Sequence, residues 1–126
     1  MKNSESKTYK LSIINNSKLP FLQCIYLGTK KAECRVNSEY IQKFRVGDKL
    51  FLQGRREFSL CRITFLHFYE SFEIMVSSEG FYNLIPFAGD EKDAIRIYKG
   101  FPGAGRVHSD GCCAIGVKWL DGRLIK

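Results

Sequence analysis

Apolar and polar positions change period several times along this chain, and the changes mark out its elements. Tyr9-Lys10-Leu11-Ser12-Ile13 alternates and predicts a first strand, closed by the turn-prone Asn15-Asn16-Ser17. Leu19 to Leu27 switches to helical spacing. Phe21 pairs with Ile25 and Leu22 with Tyr26, Pro20 suits a first helical turn, and Gly28 suits a C-terminal cap. Lys31 to Val36 alternates strictly, so on a strand Ala32, Cys34 and Val36 share one face while Lys31, Glu33 and Arg35 share the other. The small apolar set belongs in a core, which sends the charged set outward or into a groove.

Val46-Gly47-Asp48 predicts a turn that launches a strand over Lys49 to Gln53. Phe58 to Phe65 predicts a longer strand with Ser59, Cys61, Ile63 and Phe65 on one face. Helical spacing then returns twice. Ser71 can cap a helix running to Glu79 that buries Phe72, Met75 and Val76 and stops at Gly80. Asp90 can cap another, with Asp93 in its first turn, Ala94, Ile95, Ile97 and Tyr98 as its apolar set, and Gly100 at its end. Phe101 to Gly111 reads as a glycine-rich loop and Cys112 to Leu120 as the closing strand. The pattern predicts one α+β domain over 9–120, flanked by tails at 1–8 and 121–126. Its architecture is about five to six strands with three short helices, as a partly closed barrel or an open sheet.

Length and composition narrow the function classes. A chain of 126 residues, 44% hydrophobic and 13% aromatic, can bury a core without staples. The net charge of +7 favours polyanionic partners such as nucleic acid or an acidic membrane surface; a lysine-rich solvated surface gives the same number. Cysteines at 24, 34, 61, 112 and 113 contain no Cys-x-x-Cys pair, so they suit neither a disulfide framework nor a zinc site and read as small core residues of a reducing compartment. Met1 to Thr8 is polar without the apolar stretch of a signal peptide, and no apolar run has membrane-span length. The expectation is an intracellular protein, cytoplasmic or nuclear, needing no metal and no cofactor.

Gly103-Ala104-Gly105-Arg106 is a weak phosphate cradle, because His108 stands at the third glycine position and a strand, not a helix, follows. Arg106 and His108 read there as exposed loop side chains, and His67 as structural. Gly28-Thr29-Lys30-Lys31-Ala32-Glu33-Cys34-Arg35 holds more chemistry. Lysine offers a point charge for phosphate or, when desolvated, a base; glutamate accepts from base edges or moves protons; arginine grips phosphate or stacks on bases. A ladder of charges on a solvated strand face would look the same in sequence.

The order of these features resembles the ASCH domain, a small β-barrel fold related to the PUA RNA-binding domain. The match runs from about Tyr9 to Trp119. It comprises Gly-x-Lys-x-x-Glu-x-Arg at Gly28, Lys30, Glu33 and Arg35, then Val46-Gly47-Asp48, then Tyr69, Ser71 and Phe72 opening a helix. Glu79-Gly80, Leu84-Ile85-Pro86, Tyr98 and the Ala114 to Trp119 strand complete it. The resemblance implies a PUA-like barrel with a cleft that binds RNA or a nucleotide, for a role in RNA metabolism or transcription. It supplies a ligand-contacting set of Lys30, Lys31, Glu33, Arg35, Tyr69, Ser71 and Arg106. One bacterial branch of the family hydrolyses acetylated cytidine with a lysine at the position of Lys30, a threonine nucleophile, and a glutamate that aligns loosely with Glu79. Glu33 stands where that threonine falls, and a carboxylate does not replace a hydroxyl nucleophile. As an enzyme acting on RNA phosphodiesters or a modified nucleoside, the protein would use Lys30 as base or electrostatic stabiliser and Glu33 as general acid/base. A protein-interaction adaptor, with the charged stretch merely structural, is the third expectation.

Overall fold

The computed structural model describes residues 5–124, so the parts of the expected tails at 1–4 and 125–126 lie outside the described residues. Five strands form one mixed sheet in the order β1-β3-β4-β5-β2. They are β1 (Thr8–Ser12), β2 (Ala32–Val36), β3 (Lys49–Gln53), β4 (Phe58–Tyr69) and β5 (Cys112–Arg123). β1 runs parallel to β3 and the other pairs are antiparallel. The sheet is open: β1 and β2 are its two edges, with no ladder between them. The α+β class holds, and the strand count is five.

The strongly periodic helices appear where their caps place them. α1 (Phe21–Leu27) starts two residues later than expected, after Pro20, and ends at Gly28 in the left-handed region with φ +81°. α3 (Phe72–Glu79) is capped by Ser71, whose hydroxyl accepts from the Ile74 N–H, and α5 (Glu91–Lys99) by Asp90, whose carboxylate accepts from the Asp93 N–H. Three further helical turns of four residues each were not expected: α2 (Glu39–Gln42), α4 (Phe81–Leu84) and α6 (Val107–Asp110). One turn of helix is too short to print a 3.6-residue period, so the expected three helices become six. The glycine-rich loop correspondingly folds into a 3-10 turn over Ala104–Arg106 followed by α6.

β4 and β5 are longer than their alternation implied. They pair from Tyr69↔Cys112 to Phe58↔Arg123, with irregularities at Leu60/Cys61 and Ile63/Phe65. Each bulge shifts the side-chain phase, which hides the continuation of the strand from a period-2 reading. Residues 121–123, expected in the C-terminal tail, and Thr8, expected in the N-terminal one, are therefore strand residues.

The core lies between this curved sheet and the helices, with Leu22, Leu50, Leu52, Ile63, Met75, Leu84 and Ile115 fully buried. The Val46-Gly47-Asp48 turn is fixed by Asp48. One carboxylate oxygen accepts from the Lys7 N–H and the other from the Arg45 N–H, both at 3.0 Å, so a buried acid holds the start of β1 against β3.

Candidate functional site: a cleft over a buried Lys–Glu–Arg chain

Gly28 ends α1 and reverses the chain, and the Thr29 and Lys30 N–H groups both bond to the Cys24 carbonyl. This clamp aims the Lys30 side chain inward beneath Phe21, whose ring centroid lies 5.1 Å from Nζ. Lys30 is 1% exposed. Its ammonium spends all three donors inside the protein, on the Ala32 carbonyl (2.7 Å), the Leu84 carbonyl (2.6 Å) and Glu33 Oε1 (3.2 Å). Glu33, 6% exposed, holds Lys30 with one oxygen and Arg35 Nη1 with the other. Arg35 also donates to the Cys34 carbonyl and, through Nη2, to the Ser12 carbonyl.

Lys30, Glu33 and Arg35 thus converge as the sequence suggested, but inside the protein. β2 is buried on both sides through Cys34, and the face expected outward or in a groove brings Glu33 and the half-buried Arg35 to the wall of a cleft. Lys31 departs from the group. Its side chain is exposed, and its main chain ties β2 to α4 through the Asn83 carbonyl and to β5 through the Val117 N–H. Burial pushes the Lys30 ammonium below the usual lysine range, with Glu33 pulling it partway back. Burial pushes Glu33 up, but the Arg35 and Lys30 charges outweigh it and hold the carboxyl below its usual value.

Above this chain opens a cleft of about 190 Å³. Glu33, Cys34 and Arg35 line one wall, and Phe21, Phe72, Tyr98 and Phe101 supply aromatic surfaces. Tyr98 stacks on Phe72 with centroids 5.5 Å apart and planes 10° apart, and meets Phe101 edge-on. Tyr98 is 4% exposed, and its hydroxyl is the buried side-chain N or O atom among the described residues that has no hydrogen-bond partner. Burial, with the Glu33 carboxylate adding to it, pushes this phenol well above its usual range, so it stays protonated and able to donate. Helical spacing places Tyr98 in the apolar stripe of α5. Its ring is core; the hydroxyl was the available signal, since a tyrosine in a buried helical stripe requires a partner.

A second cleft of about 270 Å³ adjoins the first, sharing Arg35, Val36 and Pro102, and includes Arg106, Asp110 and Tyr40. Tyr69 and Ser71 lie elsewhere. The Tyr69 hydroxyl donates to Glu79, which also binds His67 Nδ1 at 2.7 Å, and burial with that carboxylate raises the phenol to about 12. This cluster pins the end of α3 to β4. Ser71 is occupied as a cap and lines, with Glu70, Phe72 and His108, a separate cleft of about 470 Å³. Among the described residues, no three His, Cys, Asp or Glu side chains gather to hold a metal ion, and no helix is long and apolar enough to cross a membrane.

No protein-family model and no curated protein matches the sequence. Among the solved structures that share the fold are these two. One is a crystal structure of the hypothetical protein PH0355, with a TM-score of 0.75 and 22% identity, covering 89% of this chain and all of that one. The other is a solution structure of protein PF0455 from Pyrococcus furiosus, with a TM-score of 0.69 and 25% identity, covering 90% of this chain and 99% of that one. Their near-complete mutual coverage makes the open sheet with its helices a recurring unit of this size.

Proposed function

We propose that the protein is an ASCH-type, PUA-like binding domain that holds RNA or a nucleotide in the cleft above Glu33 and Arg35. The observation that carries this reading is a cleft walled by Phe21, Phe72, Tyr98 and Phe101 beside the ionised Glu33 carboxylate, with the buried Tyr98 hydroxyl left without a partner. A buried hydroxyl without a partner costs free energy, and a ligand group that bonds to it recovers that cost. Flat aromatic walls suit a planar heterocycle, and the net charge of +7 suits its phosphates. The motif order from Gly28 to Trp119 supports the family assignment, and the Arg35 tie between the edge strands suits a sheet curled toward a barrel.

The hydrolase reading has weaker support, because the Lys30 ammonium is enclosed and its three donors are taken. Glu33→Gln tests it, since turnover of an RNA or modified nucleoside that survives the substitution removes Glu33 as the catalyst. The binding reading is tested by titrating labelled single-stranded RNA at about 50 mM and about 200 mM salt, where phosphate contacts make affinity fall steeply. Binding at low salt that weakens at high salt is expected; no binding at low salt overturns the proposal.

A further inference from the structure

The two adjoining clefts are graded in charge. The inner one ends on Glu33, which its two cations keep ionised and which is therefore an acceptor only, with lone pairs left after Lys30 and Arg35 are served. Arg35 stands where the clefts meet. In the outer cleft, Arg106 makes no side-chain hydrogen bond or ion pair among the described residues. Its guanidinium lies over Gly103, where φ is +83° and a Cβ would come within 2.9 Å of Nη2. Glycine at 103 thus leaves room for the guanidinium against the main chain, and the loop places one uncommitted arginine beside the cleft.

Size separates the two parts of any ligand. Sites that enclose a drug-sized molecule run to roughly 300–1,000 Å³. The inner cleft, at about 190 Å³, has room for one ring system, and whatever the ring carries must lie outside it.

We propose that the ligand is a nucleotide unit that enters base-first. The base offers N–H donors to Glu33 and meets the Tyr98 hydroxyl in the inner cleft, while its phosphate lies in the outer cleft against Arg106. This rests on the reading of the cleft as an RNA or nucleotide site. It adds a preference and an orientation. A carboxylate that can only accept favours bases with an exocyclic amino group, and it disfavours uracil, whose single ring N–H is flanked by two carbonyl oxygens. The inner cleft is too small to take base and phosphate together, and Arg106 attracts the phosphate in the outer one; Asp110 on that cleft's lining limits the attraction.

The test is calorimetric titration of the full chain with the four ribonucleoside 5′-monophosphates, the four nucleosides, and short single-stranded RNA. The expected result is AMP, GMP and CMP binding about tenfold or more tighter than UMP, since one well-made base contact discriminates by about that factor. Each monophosphate should also bind about tenfold tighter than its nucleoside. Arg106→Ala should bring nucleotide affinity down to the nucleoside's level, and Tyr98→Phe should weaken every base while a thermal melt shows the fold intact. UMP binding as tightly as the others, or an unchanged nucleotide-to-nucleoside ratio in Arg106→Ala, overturns the inference. RNA binding with no base preference overturns this inference and leaves the binding function standing. Failure of RNA and all monophosphates at low salt overturns both.

Discussion

Arg35 Nη2 donates to the Ser12 carbonyl at 2.6 Å, so a side chain on one edge strand of the sheet holds the other edge. The same guanidinium neutralises Glu33 and borders both clefts. It therefore joins the closure of the sheet to the chemistry of the site, and its loss should be felt in both.

Arg35→Ala should lower unfolding stability by about 1.5–3 kcal/mol, the range for a hydrogen bond to a charged group. Urea denaturation reads this as a lower midpoint. Arg35→Lys should restore less than half of the loss, because one compact ammonium cannot reach a carboxylate and two carbonyls lying in different directions. A wild-type midpoint in Arg35→Ala would show that the edges are held by other contacts.

Lys30→Met keeps most of the side-chain volume but strands the Glu33 carboxylate and two main-chain carbonyls. Removing one partner of a buried pair costs about 3–5 kcal/mol. The double variant Lys30→Met/Glu33→Gln should be less destabilised than the sum of the single changes, because the uncompensated charge is gone. A double-mutant cycle measures that coupling, and strict additivity would contradict the pairing.

The depressed Glu33 carboxyl also sets a pH dependence. A carboxyl held below its usual 4.5 in the folded state adds stability that is fully present above that pH and is lost as the pH falls through the folded value. Stability measured from pH 6 downward should therefore fall more steeply for the wild type than for Glu33→Gln, which has no proton to take up. Parallel slopes would mean that Glu33 does not contribute.

Tyr98→Phe should raise the stability of the unliganded protein by about 1 kcal/mol, because it removes a buried hydroxyl that nothing satisfies. A loss of stability on thermal or urea unfolding would show that the hydroxyl has a partner in solution. Higher stability together with weaker ligand binding is the signature of a residue kept for function.

The sequence by itself determined the elements whose local signals are strong. Alternation marked β1 and β2, and the Val46-Gly47-Asp48 turn marked the start of β3. Helical spacing bounded by Ser71 and Gly80, and by Asp90 and Gly100, marked α3 and α5, and the charge cluster from Lys30 to Arg35 marked the side chains that meet in one buried chain. These are short-range facts: a period says which side chains share a face, and a cap says where a helix begins. What covers each face is a long-range fact, and only the tertiary structure decided it. Alternation put Glu33 and Arg35 on one side of β2, and only the packing decided that Glu33 is buried there while Arg35 is half-buried at the wall of the cleft. Tyr69 and Ser71 share a motif with Phe72, yet the direction of β4 and α3 parts them from the cleft while Phe72 reaches it. Tyr98, Phe101 and Phe21 are far apart in the chain and meet around one cavity. A buried phenol without a partner exists only once its surroundings are assembled, because an unmet hydrogen bond is a property of the space around an atom.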